Sequence, residues 1–298
     1  MICRLPARGA AVKGGKRSFV QQSLVASKLC GSLPDMDNVW AITNQKGGVG
    51  KSSTALHLAH ALSTAGRRVL LVDGDPQATS TATTNTEPAD GVLSMFDVLS
   101  GTAKIAEVIV SAPTWGFDVA PAELAMARLE QVSALGSEFR LAEALTGVAD
   151  RYDLVLVDCP PSLGRLALAA LVASTRALIV TEPSAPALKG VGDLLETLDV
   201  VAKRYAPGLA LAGVVVNRVT PTREANLRLE ELRAFFGDGQ VWEPLIPQRT
   251  AVSEAMGAHC PVTALTGDGA RAAAEVFATL AARLQASTQA TKERGVAP

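Results

Sequence analysis

The stretch that decides the fold is Asn44-Gln45-Lys46-Gly47-Gly48-Val49-Gly50-Lys51-Ser52-Ser53-Thr54. The apolar run at 39–43 before it reads as a buried strand. Residues 52–65 after it read as a helix closed by Gly66. Glycines 47, 48 and 50 let the backbone turn tightly, so that successive N–H groups can point inward and cradle an anion. The positive end of the helix that follows strengthens that field. Lys51 stands where an ammonium reaches the β- and γ-phosphates of a nucleotide, and Ser52 where a hydroxyl meets Mg²⁺. A strand, a glycine turn, Lys-Ser and a helix in this order are the context a phosphate loop requires.

Outward from this loop, short apolar runs alternate with helical patterns. Strands are predicted at 68–72, 117–120, 154–157, 177–181 and 211–216, with a short one at 242–246. Helices are predicted at 93–99, 124–132, 139–149, 163–173, 191–205, 224–236 and 270–284. Continuous apolar strands are buried on both faces. Their alternation with helices predicts an α/β fold: a doubly wound, mostly parallel sheet with right-handed crossovers. The Ser/Thr-rich stretch 78–86 reads as a polar, mobile turn. Without an internal repeat or a dividing linker, one domain is expected over 36–285, followed by a disordered tail at 286–298.

The 298 residues are 48% hydrophobic and 19% charged, with a net charge of −1, so there is core enough for a globular domain and no overall field for a polyanion. Any nucleic-acid contact needs a local basic patch. The cysteines, Cys3, Cys30, Cys159 and Cys260, form no C-x-x-C pair and read as free thiols of a reducing compartment. No run approaches the roughly 18 apolar residues of a membrane span. Before Asp35 the chain carries Arg4, Arg8, Lys13, Lys16, Arg17 and Lys28 and no acid. This extension reads as a disordered basic arm, as a targeting peptide, or as a segment outside the fold with translation starting at Met36.

Two further runs end in acids. Val69-Leu-Leu-Val-Asp73 leads into Gly74-Asp75-Pro76-Gln77, and Leu154-Val-Leu-Val-Asp158 leads into Cys159-Pro160-Pro161-Ser162. Acids at the carboxyl ends of parallel strands face the ligand crevice. Asp158 would hold Mg²⁺ through water. Asn217 ends a later strand with an amide that can both donate to and accept from an adenine edge. No histidine lies near Cys159 in sequence, and His57 and His60 fall on the helix after the phosphate loop as ordinary side chains.

The standard phosphate-loop spacing wants glycine at 45, where this chain has Gln45, and it has an extra lysine, Lys46, next to it. This pattern resembles the deviant Walker A motif of the ParA/MinD ATPase family. Residues 73–77 resemble the family's D-x-D-P-Q switch, 158–161 its D-x-P-P switch, and 246–255 its I-P…E-A segment. The resemblance runs from Asp37 to Ala282 and implies the P-loop NTPase fold, ATP and Mg²⁺ as cofactors, and hydrolysis of ATP to ADP and phosphate. Catalytic roles fall by resemblance on Lys46, Lys51 and Asp75. Lys46 would reach the partner's phosphates in an ATP-sandwiched homodimer, and Asp75 would orient the attacking water. Nucleotide contacts fall on Gly47, Gly48, Val49, Gly50, Lys51, Ser52, Ser53, Asn217 and Pro247, and metal contacts on Ser52, Asp73 and Asp158.

Within that family, ParA-like (Soj-like) members act in chromosome or plasmid partitioning. They bind DNA non-specifically as ATP dimers and are stimulated by a ParB-like partner. MinD-like members sit on the membrane through a C-terminal amphipathic helix. The C-terminal helix of this chain is alanine-rich and poor in lysine, which fits packing on a sheet better than a lipid surface. The resemblance therefore implies a cytoplasmic, nucleoid-associated ATPase with no membrane contact. Arg223 and Arg249 lie in segments that would contact DNA, with Arg218, Arg228 and Arg233 nearby. The alternative is a MinD-like or other cargo-positioning ATPase acting on a membrane or protein partner. A redox ATPase of the nitrogenase iron-protein type would need cluster-bridging cysteines, and Cys159 and Cys260 do not match that pattern.

Overall fold

The computed structural model describes residues 36–131, 135–237 and 239–295. The basic extension at 1–35 and the last three residues of the expected tail lie outside the described residues.

The strands are β1 (Val39–Thr43), β2 (Val69–Asp73), β3 (Val110–Ala112), β4 (Phe117–Ala120), β5 (Leu154–Asp158), β6 (Arg176–Thr181), β7 (Ala210–Val216) and β8 (Val241–Trp242). They form one sheet in the order β3-β4-β2-β5-β1-β6-β7-β8. β3 runs antiparallel to β4, and the other pairings are parallel. From β1 the chain winds first toward β2 on one side and later toward β6, β7 and β8 on the other. That reversal places a crevice outside the carboxyl ends of the central strands. The expected doubly wound, mostly parallel sheet is therefore what forms.

The central strands β1, β2 and β5 are buried on both faces. Val39, Ala41, Leu70, Val72, Val155 and Val157 point to one layer, and Trp40, Ile42, Val69, Leu71, Leu154 and Leu156 to the other. The period of two along each strand splits an unbroken apolar run between two cores. The first layer is closed by α3 (Met95–Ser100), α5 (Arg140–Leu145), α6 (Arg165–Val172), α7 (Ala185–Arg204) and α8 (Arg223–Phe236). The second is closed by α1 (Lys51–Thr64), α9 (Thr250–Gly257) and α10 (Asp268–Gly295). Two short helices, α2 (Thr79–Thr83) and α4 (Ile105–Val108), complete the set.

Several expectations are corrected. Residues 78–86 are not a mobile polar turn: α2 lies within them, and Ser80, Thr81, Thr83 and Thr84 are buried. The hydroxyls read as loop chemistry because Ser80 and Thr81 find their acceptors outside the stretch, on Asp158 and Asp73, while Thr84 bonds within it to the Ser80 and Thr81 carbonyls. The helix expected at 124–132 is a 3-10 helix, Leu124–Glu130. The strand at 242–246 shrinks to Val241–Trp242, and α9, which covers 250–257, was not anticipated. The tail expected as disordered from 286 continues α10 as helix to Gly295.

That last correction has a visible cause. Trp40 Nε1 in the buried layer donates to Thr288 Oγ1 at 3.1 Å, and Thr288 is itself buried. One face of α10 supplies Phe277, Leu280 and Leu284 to the core, and the buried Thr288 carries that attachment past Gln285. Replacing Thr288 by valine keeps the shape and orphans the indole N–H. The expected loss is about 1–3 kcal/mol of unfolding free energy, the cost of an unsatisfied buried donor, read by denaturant titration. An unchanged midpoint would mean that α10 is not held there.

Candidate functional site

The phosphate loop forms as its glycines dictate, at two of the three positions. Gly48 and Gly50 adopt φ of 77° and 89°, in the left-handed region that side chains resist, whereas Gly47 does not. α1 then opens at Lys51 with Gly50 as N-cap, no side-chain cap and no acid in its first turn. Its first N–H groups are therefore left for a ligand, and the helix dipole favours an anion there.

A cavity of about 590 Å³ sits at this point. Gly47, Gly48, Gly50, Lys51, Ser52 and Ser53 line it from the loop, and Asp75, Gln77 and Thr79 line it from the end of β2. Pro161 closes it from the end of β5, and Asn217, Arg218 and Pro247 from the end of β7 and the segment after β8. Val252 and Met256, four apart on α9, provide an apolar wall suited to a flat base. Sequence reading missed that wall. The apolar i, i+4 pair was its signal, hidden because α9 itself was not anticipated. Val49 does not face the cavity: its side chain is fully buried.

Asn217 is held in place by the loop. Its Nδ2 donates to the Val49 carbonyl at 2.9 Å, and its Oδ1 accepts from the Arg218 N–H at 2.8 Å. A Cβ on Gly50 would lie 2.1 Å from Asn217 Nδ2. The amide thus braces the phosphate turn as well as lining the cavity.

The two strand-end acids stand side by side. Asp73 and Asp158 are register partners on β2 and β5 and are fully buried. Burial first, and for Asp73 the neighbouring Asp158 charge, push both carboxyl pKa values well above the ordinary carboxylate range. For Asp158, the Ser52 and Ser80 hydroxyls and the Lys51 ammonium pull the other way. Asp73 Oδ2 accepts from both the N–H and the hydroxyl of Thr81 at 2.8 Å, and its Oδ1 accepts from the Asp75 N–H at 3.2 Å. Asp73 therefore holds the turn that carries Asp75. Asp158 Oδ2 accepts from the Ser80 hydroxyl at 2.7 Å, while its Oδ1 is buried without a hydrogen-bond partner.

That orphaned oxygen, beside Ser52, fits Mg²⁺. Among the described residues no group of three or more His, Cys, Asp or Glu side chains could enclose a metal. A cation that keeps water and phosphate oxygens, with few protein ligands, suits such a site.

Lys46 turns away from the cavity. Its ammonium pairs with Glu182 and lies 3.5 Å from Ser184 Oγ, with its side chain 40% exposed. Arg223 opens α8 and Arg249 precedes α9, and both are exposed, as is Arg218. Arg218 and Arg249 also line the cavity, whereas Arg228 and Arg233 pair with Glu231 and Glu243. His57 is buried against Phe277 and Trp115, and burial lowers its pKa to about 4. It accepts from the Val262 N–H at Nε2, so it is a packing residue of α1. Cys159 is fully buried, with its thiol pKa pushed up by burial, and makes no dyad.

An uncapped helix behind a glycine turn, a lysine, and an acid at a strand end facing one cavity define a P-loop nucleotide hydrolase. Comparison with known proteins narrows the class. A family profile described as "AAA domain" matches residues 37–211. The chain is 36% identical over 255 residues to the sporulation initiation inhibitor protein Soj of Bacillus subtilis, covering 85% of this chain and all of Soj. It is 36% identical over 216 residues to the chromosome partitioning protein ParA of Myxococcus xanthus, covering 72% of this chain and 76% of ParA. Among solved structures it resembles a cobyrinic acid a,c-diamide synthase from Mycobacterium smegmatis with bound ADP and magnesium. That match has a TM-score of 0.69 and 30% identity, over 82% of this chain and 92% of the other. The chain belongs to the ParA/Soj family of P-loop ATPases.

The brace between Asn217 and Gly50 separates two glycine substitutions. Gly48→Ala puts a side chain at positive φ with open space around it, and Gly50→Ala adds a collision with Asn217. Gly48→Ala should weaken nucleotide binding by about 10-fold, given a left-handed penalty of about 1–2 kcal/mol. Gly50→Ala should weaken it further, measured by titration of a fluorescent ATP analogue. Equal losses would show that the amide does not brace the loop.

Proposed function

We propose that this ATPase works in DNA partition. Its ATP-bound homodimer holds DNA without sequence preference, and hydrolysis, stimulated by a ParB-like partner, releases it. The observation that carries the reading is the convergence of Lys51, Ser52 and Asp75 on one cavity whose outer rim holds the exposed Arg218 and Arg249. Nucleotide and a polyanion would then be felt by neighbouring segments of the chain. The apolar face of α10 is spent on the core, which favours this reading over a membrane-anchored one. No described helix is long and apolar enough to cross a membrane. The cytoplasm, on the nucleoid, is the proposed place of action.

In this reading ATP lies with its phosphates on the loop, its base between Pro247 and the wall of Val252 and Met256, and Lys51 against the β- and γ-phosphates. Ser52, and Asp158 through water, would hold Mg²⁺, which would supply neutralisation of the phosphate charge. Asp75 accepts the Gln77 N–H at 3.0 Å through Oδ1 and orients the attacking water with the rest of its carboxylate. Lys46 leaves Glu182 and Ser184 to reach the partner's phosphates, as an arginine finger does in trans. Only contacts that differ between monomer and dimer can drive closure, so this exchange of partners is what ATP would favour.

Binding to random-sequence duplex DNA, compared with ATP and with ADP across a salt series, tests the proposal. Tight binding only with ATP is expected, with log affinity falling by about 0.9 per phosphate contact for each unit of log salt. Equal binding with ADP, or none at all, would overturn it. Asp75→Ala is expected to bind ATP and slow hydrolysis by about 100-fold or more, the contribution of a positioned base. Lys46→Ala should keep nucleotide binding and lose ATP-dependent dimerisation by analytical ultracentrifugation, and a dimer of undiminished stability would refute the cross-subunit role.

A further inference from the structure

We infer that Ser80 is a positioning residue for the metal-side carboxylate of Asp158, and that α2 couples that carboxylate to the segment carrying Asp75. The inference rests on the reading of Asp158 and Ser52 as the magnesium side of the cavity.

Ser80 and Asp158 are separated by 78 residues of chain and both are fully buried. The Ser80 hydroxyl donates to Asp158 Oδ2 at 2.7 Å, and Oδ1 of the same carboxylate has no hydrogen-bond partner. A carboxylate turns about its last bond unless one oxygen is held. Ser80 holds one oxygen and leaves the other free. This is the arrangement of an outer partner that orients a metal ligand. Thr81, next along α2, is committed to Asp73, and Ser52, which also acts on Asp158, lies on the phosphate-loop side, so from α2 this hold is made by Ser80.

Thr81 makes the coupling. Its N–H and hydroxyl both donate to Asp73 Oδ2, and its Oγ1 accepts from the Ala122 N–H at 2.9 Å. The other oxygen of Asp73 accepts from the N–H of Asp75. The five-residue helix α2 therefore grips both strand-end acids through adjacent hydroxyl residues, and the turn bearing Asp75 is tied to the same Asp73. A change in the orientation of Asp158 on loading with metal would be passed through Ser80 to α2, and from α2 to the water-facing acid. A hydrogen bond of this kind in a dry site is strong because water cannot replace it.

The test is a magnesium titration of fluorescent ATP-analogue binding, with parallel binding in EDTA and thermal melting, on wild type, Ser80→Ala and Asp158→Asn. For Ser80→Ala the half-saturating magnesium concentration should rise about 10-fold or more, the usual cost of losing an outer partner, while binding in EDTA is unchanged. Ser80→Thr, which restores the hydroxyl, should return toward wild type. If Asp158→Asn raises the magnesium requirement and Ser80→Ala does not, the positioning role is wrong and the site reading survives. If Asp158→Asn also leaves the requirement untouched, the site reading itself fails. Loss of EDTA binding in Ser80→Ala in proportion to magnesium-dependent binding would indicate a purely structural role and overturn the inference. Should the alanine variant not fold, Ser80→Cys, close in size and only a weak donor, is expected to raise the requirement by a smaller factor. No rise in that variant would again refute the role.

Discussion

Two carboxyl groups end adjacent parallel strands side by side, both fully buried. Like charges so placed cannot both ionise cheaply, and each must find donors, a proton or a cation. Much of the site answers that constraint. Asp73 is satisfied from within, by Thr81 and the Asp75 amide. Asp158 is satisfied on one oxygen only, with Lys51 and Ser52 close by. The electrostatic demand left over points to a cation, and the uncapped helix next to it points to the phosphates that would bring one.

What could be read from the chain, and what could not, follows from the range of the interactions. The phosphate loop was legible because everything it needs is local: a strand, two glycines at positive φ, a lysine and a helix, all within 39–64. The doubly wound, mostly parallel sheet was legible as alternation of elements, whereas its strand order was not. The Thr79-Ser80-Thr81 run was misread because hydroxyl-rich stretches ordinarily satisfy themselves nearby, as turns do. Here Ser80 and Thr81 bond instead to the acids at the ends of β5 and β2. The same logic applies to residues 286–295, whose polar composition concealed one buried threonine that receives an indole N–H from β1.

Asn217 shows a third kind of illegibility. Its residue type fits the reading of an adenine edge, but its amide is engaged with the Val49 carbonyl and the Arg218 N–H. A residue that lines a ligand site can also hold the site's walls together, and sequence carries no mark of which hydrogen bonds are used. Lys46 is similar. The extra lysine is visible in the sequence, whereas its pairing with Glu182, just past the end of the neighbouring strand β6, is not.

The three tryptophans of the chain, Trp40, Trp115 and Trp242, all fall in one of the two core layers, the one closed by α1, α9 and α10. Trp115 meets the edges of His57 and His60 on α1, and Trp242 lies under the guanidinium of Arg283. The opposite layer contains none. Intrinsic indole emission from this protein is therefore a one-sided optical signal. It reports the environment behind the phosphate-loop helix and is blind to rearrangement of α3, α5, α6 and α7. A shift in that emission on adding a ligand would locate the disturbance to one face of the sheet without any label being attached.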